Sequence, residues 1–317
     1  MRHAGRASAV LASVLLAACS ATDFSPPALA FGQAVTEGGR LVEVLDQERA
    51  EANFALRRAA IAQRADQVVV RAADCRAGAA AGECVLRAGP GRTPMGQVAP
   101  AARPGELVAA LERYAEGLAG VASARDDADL DVASRQLEAA LDSLGRAVPQ
   151  TGAAGMVVGP APGILANIRG LASGQRRFAV MQNAINAADP AVQQAAGELA
   201  ATVAGQREAA LDDRAALIAR LAALYNATEP RPGIEGAAAS ASREALLARL
   251  AALTAAQRQL LADEPSAELR RLGEAHAALR AGINDPTPPH AALTNELRRL
   301  AERLRRAADA AMRLPLA

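Results

Sequence analysis

The sequence predicts an all-α protein, an antiparallel helical bundle or a pair of bundles with long amphipathic helices and no β-sheet. Three observations carry this. Apolar residues recur at alternating steps of three and four through almost every long segment, the period of a helix with one face turned to a core. No stretch alternates apolar and polar residues convincingly as a half-buried strand would. Runs rich in Pro and Gly punctuate the periodicity, and no internal repeat is visible. Ala-rich faces allow helices to approach closely but bury little area per residue, so stability must come from helix length and many Leu contacts.

The elements follow in chain order. Residues 1–18 form a leader, and residues 19–33, which contain Pro and lack helical periodicity, form a tether. A first helix over 34–74 carries Val35, Val42, Leu45, Ala52, Leu56 and Ala59 on one stripe. Residues 75–103 hold Cys75, Cys84 and the turn-rich run from Gly89 through Pro90, Gly91 and Arg92 to Thr93 and Pro94, which excludes regular helix. Pro104 fits the first position of a second helix, where its missing N–H costs nothing. Its stripe is Leu107, Leu111, Tyr114, Leu118 and Val121. A third helix continues with Leu130, Leu137, Leu141, Leu144 and Val148, its start marked by Asp126, Asp127 and Asp129, which suit a helix N-terminus. The span 34–150 is thus a first bundle.

Residues 151–163 form a Gly/Pro hinge, and 164–317 a second bundle. Ile164, Ile168, Leu171, Phe178 and Ile185 mark the fourth helix. Asp189 as N-cap and Pro190 at the next position predict a stop and restart there. A fifth helix runs to Tyr225 through Val192, Leu199, Val203, Leu217, Leu221 and Leu224, followed by a loop over 226–236. Leu246, Leu250, Leu253 and Leu260 give a sixth, and Leu269, Leu272, His276 and Leu279 another after Pro265. Asn284, Asp285, Pro286, Thr287, Pro288 and Pro289 make a firm break. The last helix carries Leu293, Leu297, Leu300, Leu304, Ala307 and Ala311.

The leader has its own chemistry. Arg2 and Arg6 precede a mostly apolar run from Ala9 to Leu16, which closes on Leu16, Ala17, Ala18 and Cys19. This tetrapeptide resembles a bacterial lipobox. The resemblance implies cleavage before Cys19, after a diacylglyceryl group has been attached to its thiol, with acylation of the new amino terminus to follow. The apolar stretch spans at most about 15 Å as a helix, too short to cross a bilayer, so it reads as an export signal. A rival cut after Ala28, Leu29 and Ala30 has the small-x-small form, but Asp23, Ser25, Pro26 and Pro27 separate it from the apolar run. In the lipoprotein family, Ser20 in place of aspartate implies the outer membrane, with the body facing the periplasm. Beyond the signal, the body resembles helical envelope proteins of proteobacteria without a motif that carries residues across.

Composition narrows the function. All 35 basic residues are Arg, against 34 acidic ones, so a near-neutral chain gives no bulk attraction for nucleic acid. Aromatics are 2% of the chain, which disfavours base- or sugar-stacking platforms. Cys19 is consumed by lipid, leaving Cys75 and Cys84 as an even pair expected to form a disulfide in an oxidising compartment. A two-cysteine metal site would want closer spacing and nearby His. His276 in an apolar stripe reads as a core histidine, and His290 as a helix start. The two lie apart across a break, outside any metal-binding motif. There is no Gly-x-Ser-x-Gly elbow, and the absence of Lys removes Ser-x-x-Lys and phosphate-loop chemistry. No cofactor, metal or enzymatic activity is expected.

On the last helix Arg298, Arg299, Arg303, Arg305 and Arg306 project away from the Leu stripe, diluted by Glu296 and Glu302. They suit contact with anionic lipid or lipopolysaccharide phosphates, or a solvated face complementing the helix C-terminus. The expectation is a non-enzymatic, membrane-anchored interaction or scaffold module with an envelope protein partner. The alternative is a ligand-binding or sensory bundle using His276 or Tyr225, with an envelope hydrolase third.

Overall fold

The computed structural model describes residues 24–64, 68–69, 86–88, 93–95, 102–148, 173–227, 234–262, 264–285 and 290–312. The all-α class holds. Seven helices appear among the described residues: α1 (Ser25–Arg64), α2 (Ala102–Ser123), α3 (Asp127–Ala147), α4 (Ser173–Ala227), α5 (Ile234–Ala262), α6 (Pro265–Asn284) and α7 (His290–Met312). The contacts divide the chain into two compact units. The first unites Met1–Leu41, Ala102–Ala201 and Pro265–Arg306, and the second Val42–Ala101, Thr202–Glu264 and Ala307–Ala317. This differs from two sequential bundles parted at 151–163, because α1 and α4 each contribute to both units. The hinge residues themselves lie outside the described residues.

Three further expectations are corrected. The tether over 19–33 gives way to helix at Ser25: Pro26 and Pro27 lie in the first turn, where a missing N–H breaks no bond. Phe24, Ala28 and Phe31, spaced to share one face, are each 0% exposed. The predicted break at Asp189 and Pro190 is absent, since α4 continues through Pro190. Pro190 is on the exposed side of that helix, where solvent replaces the backbone bond its ring forfeits. Nor is the first helix continuous to residue 74. Beyond Arg64 lie the short strands β1 (Val68–Val69), β2 (Leu86–Ala88) and β3 (Thr93–Met95), in a small antiparallel sheet of that order. Val68 pairs with Ala88, and Arg87 with both Val69 and Pro94. Pro94, which has no N–H for a ladder, sits on an edge strand as it must. Strands of two or three residues are too short for an alternating pattern to show, so no β-sheet is expected from the sequence: it reads as helix at Val68–Val69 and as turn-rich loop around Leu86–Ala88 and Thr93–Met95.

The first unit is built by the stripes the sequence marks. Asp126 caps α3 with its side chain accepting from the Asp129 N–H at 2.8 Å, as its position predicted. The antiparallel hairpin of α2 and α3 closes tightly at Gly117, where a Cβ would meet the Leu137 Cα at 3.0 Å. Ser25 Oγ donates to the Ala122 carbonyl at 3.1 Å, tying the start of α1 to the end of α2.

In the second unit Ala55, Leu217, Leu221 and Leu253 form the core, extended by Ala210, Ala256 and Leu260. Arg207 on α4 supplies the cation that the last turn of α5 lacks, donating to the Leu260 and Leu261 carbonyls at 3.0 Å each.

Candidate functional site

Two stripe positions that apolar residues would be expected to fill, Tyr114 on α2 and His276 on α6, meet in the middle of the first unit. Each is 0% exposed. The Tyr114 hydroxyl lies 2.9 Å from His276 Nε2, and His276 Nδ1 lies 3.0 Å from Asp189 Oδ1 on α4. Arg280, one turn beyond His276, donates Nη1 to the other Asp189 oxygen at 2.7 Å. His276 and Arg280 share a face of α6 because they are four residues apart. Phe31 of α1 completes the site with its ring edge-on to His276, centroids 5.2 Å apart. Beside it, Gln193 donates to the Gly273 carbonyl at 2.7 Å, and a Cβ at Gly273 would stand 2.8 Å from the Gln193 oxygen. A side chain there would have to displace the Gln193 amide that bridges α4 and α6.

The electrostatics assign the protons. Asp189 is held at about 2, first by the hydrogen bond from His276 and further by that from Arg280, against the opposing effect of burial. Burial pushes His276 below its ordinary value and outweighs the Asp189 carboxylate. Burial, with the Asp189 charge added, raises Tyr114 well above the usual phenol range. The ring is therefore neutral at pH 7. Because a carboxylate only accepts, Nδ1 carries the hydrogen and donates to Asp189, and Nε2 accepts from the Tyr114 hydroxyl. The chain of donors runs without a gap from the phenol, while Arg280, with a side chain 53% exposed, closes it at the surface.

A phenol on an imidazole on a carboxylate is also the arrangement that activates a nucleophile. Here both the phenol and the imidazole are wholly enclosed. What the array does is join α2, α4 and α6 through groups that would each be costly to bury unpaired.

The titration sign follows. Well above pH 6.5 His276 is neutral whether the chain is folded or not. Below it the unfolded chain takes up a proton that the folded chain refuses, so stability present above pH 6.5 is lost as pH falls. Asp189 adds a second loss between its ordinary 3.8 and about 2. Urea unfolding is expected to show lower stability at pH 5 than at pH 7.5, and His276→Gln is expected to flatten that difference. Equal pH dependence in the variant would remove His276 as its source.

The second unit has its own polar seam. Glu48 and Arg214, with side chains 7% and 4% exposed, form a buried ion pair. Burial raises the Glu48 carboxyl, and Arg214 draws it back down. Gln206 donates to Asp46 at 2.9 Å and Asn53 to Asp213 at 3.4 Å, so polar contacts recur along α1 and α4 and fix their register.

The residues singled out from sequence fall differently. Cys19, Cys75 and Cys84 lie outside the described residues. Arg298, Arg299, Arg305 and Arg306 are exposed on α7, but Arg303 turns to Glu268 on α6, donating Nε at 2.9 Å. His290 opens α7 as expected, its ring edge-on to Phe24 at 5.2 Å. Tyr225 lies under Arg243, whose guanidinium carbon is 4.2 Å from the ring centroid. Asp189 is not the cap that its place before Pro190 predicts, since its carboxylate is bound by His276 and Arg280; the signal for it in the sequence is the presence of Tyr114 and His276 in Leu stripes, because buried polar groups require partners. Among the described residues no group of three or more His, Cys, Asp and Glu side chains is placed to hold a metal ion, and no helix is long and apolar enough to cross a membrane. No family model, curated protein or solved structure matches this chain.

Proposed function

We propose that this chain is a bacterial envelope lipoprotein, anchored in the outer membrane through acylated Cys19, whose helical body is a non-enzymatic interaction module for another envelope protein. The observation that carries the anchoring is the course of α1. The rival secretory cut, after Ala30, would fall inside this helix and remove Phe24 and Ala28, both 0% exposed. Cleavage before Cys19 leaves the whole helix intact. Acylation then supplies the attachment, since burying acyl chains contributes about 0.8 kcal/mol per CH₂.

The interaction role is supported by α5. Leu247 and Leu261 are 51% and 58% exposed, and Ala241, Ala245, Ala248, Ala251 and Ala255 are exposed along the same helix. A sensory role through His276 finds no support, because the ring is sealed and both of its nitrogens are engaged.

The test is photo-crosslinking in cells from a reactive residue placed at Leu247. One dominant protein adduct is expected. A position that yields no adduct, together with saturable thermal stabilisation of the purified protein by a small ligand, would replace this reading with ligand binding.

A further inference from the structure

We infer that the arginine face of α7 is a docking surface for anionic phospholipid headgroups, in the same leaflet that holds the lipid anchor; this rests on the Cys19 reading above. Arg298, Arg299, Arg305 and Arg306 are exposed. At 3.6 residues per turn they occupy about a third of the helix circumference over about 12 Å of its length. Leu297, Leu300 and Leu304 fill the buried stripe, 2% exposed or less. Glu302 lies among the four arginines and Glu296 beside them, which leaves the face cationic but not strongly so.

The anchor is tethered near this helix. Phe24 packs edge-on against His290, the first residue of α7. Four residues, and so five Cα-to-Cα steps, separate Cys19 from Phe24, a reach of at most about 18 Å when fully extended. The lipid is therefore attached within that reach of Phe24 and the start of α7, and the arginines begin about 12 Å further along that axis. If the first unit lies with α7 toward the bilayer, the leash and the arginines engage together. The acyl chains keep the guanidinium groups at high effective concentration over the phosphates, which their planar forks bind in bidentate fashion. The acyl chains supply attachment, and the arginines supply orientation.

The test is vesicle flotation of residues 20–317, which retain every described residue and lack only the leader and Cys19. Its outcome is therefore independent of whether Cys19 is acylated. Vesicles of phosphatidylcholine with about 30 mol % phosphatidylglycerol should float the chain at about 50 mM salt, and pure phosphatidylcholine vesicles should not. Changing Arg298, Arg299, Arg305 and Arg306 to Gln should weaken binding at least thirtyfold, on the scale of about a tenfold loss for every one or two cations removed at an anionic surface. Changing the same four to Lys should retain most of the binding, which separates loss of charge from loss of fold. Changing the exposed Arg49, Arg57, Arg113 and Arg135 to Gln should leave binding unchanged. Failure to float with anionic vesicles, equal flotation with neutral ones, or an equal loss from both Gln sets would overturn the proposal.

Discussion

Asp189→Ala is expected to lower the unfolding free energy by about 3 kcal/mol, from the loss of charge-assisted hydrogen bonds and the stranding of a buried donor. The carboxylate is the one acceptor for the His276 Nδ1 hydrogen, and the ring has no route to water because it is 0% exposed. Arg280 is different. Its side chain is half in solvent and can turn outward at little cost, so the penalty falls on the imidazole rather than on the guanidinium. Asp189→Asn should cost less, because an amide oxygen still accepts from Nδ1 while the charge is gone. Tyr114→Phe leaves Nε2 without a donor and should cost about 1–2 kcal/mol. Because both changes act through the same ring, the double variant should depart from additivity by more than about 0.5 kcal/mol. Urea unfolding of the four proteins measures this. An Asp189→Ala loss below about 1 kcal/mol would mean that the array contributes nothing beyond its shape.

Much of this architecture could be read from residue spacing, and the failures have physical causes. The Leu stripes of α2, α3, α6 and α7 are buried as their periodicity predicts, apart from the partly exposed Leu293, since a helix face of that width has to be covered. Pro26, Pro27 and Pro190 misled. A proline signals a break only where its missing N–H or its ring meets an obligation, and neither a first turn nor a solvent-facing side imposes one that water cannot meet. The same local rule turned Asp189 into a cap, when its carboxylate was claimed by a histidine 87 residues away. His276 was recognisable as a core histidine, and Tyr114 stood visibly in an apolar stripe. That they bond each other across 162 residues is a property of packing, to which one-dimensional periodicity is blind. The division into units escaped for a related reason: α1 and α4 are long enough to supply both, so no composition change marks the boundary.

The largest effect is expected at Cys19. With residues 1–18 replaced by an ordinary secretory leader and Cys19 changed to Ser, the chain should move almost entirely from the membrane to the soluble fraction after a high-salt wash, which also screens the α7 arginines. The reason is energetic. Among the described residues no helix can cross a bilayer. Contacts through exposed arginines are weak and salt-sensitive, whereas two or three buried acyl chains exceed the marginal attachment that a single myristoyl group provides. A variant that stayed with the membrane in high salt would require an attachment independent of the thiol.

The mass of the amino-terminal peptide, from protein purified out of the cells' membrane fraction, tests the processing proposed above most directly. The prediction is a peptide that begins at Cys19 and carries the added mass of a diacylglyceryl group, with Phe24 and Phe31 still downstream in the same chain. An amino terminus at Phe31, or an unmodified Cys19 still joined to Ala18, would contradict it.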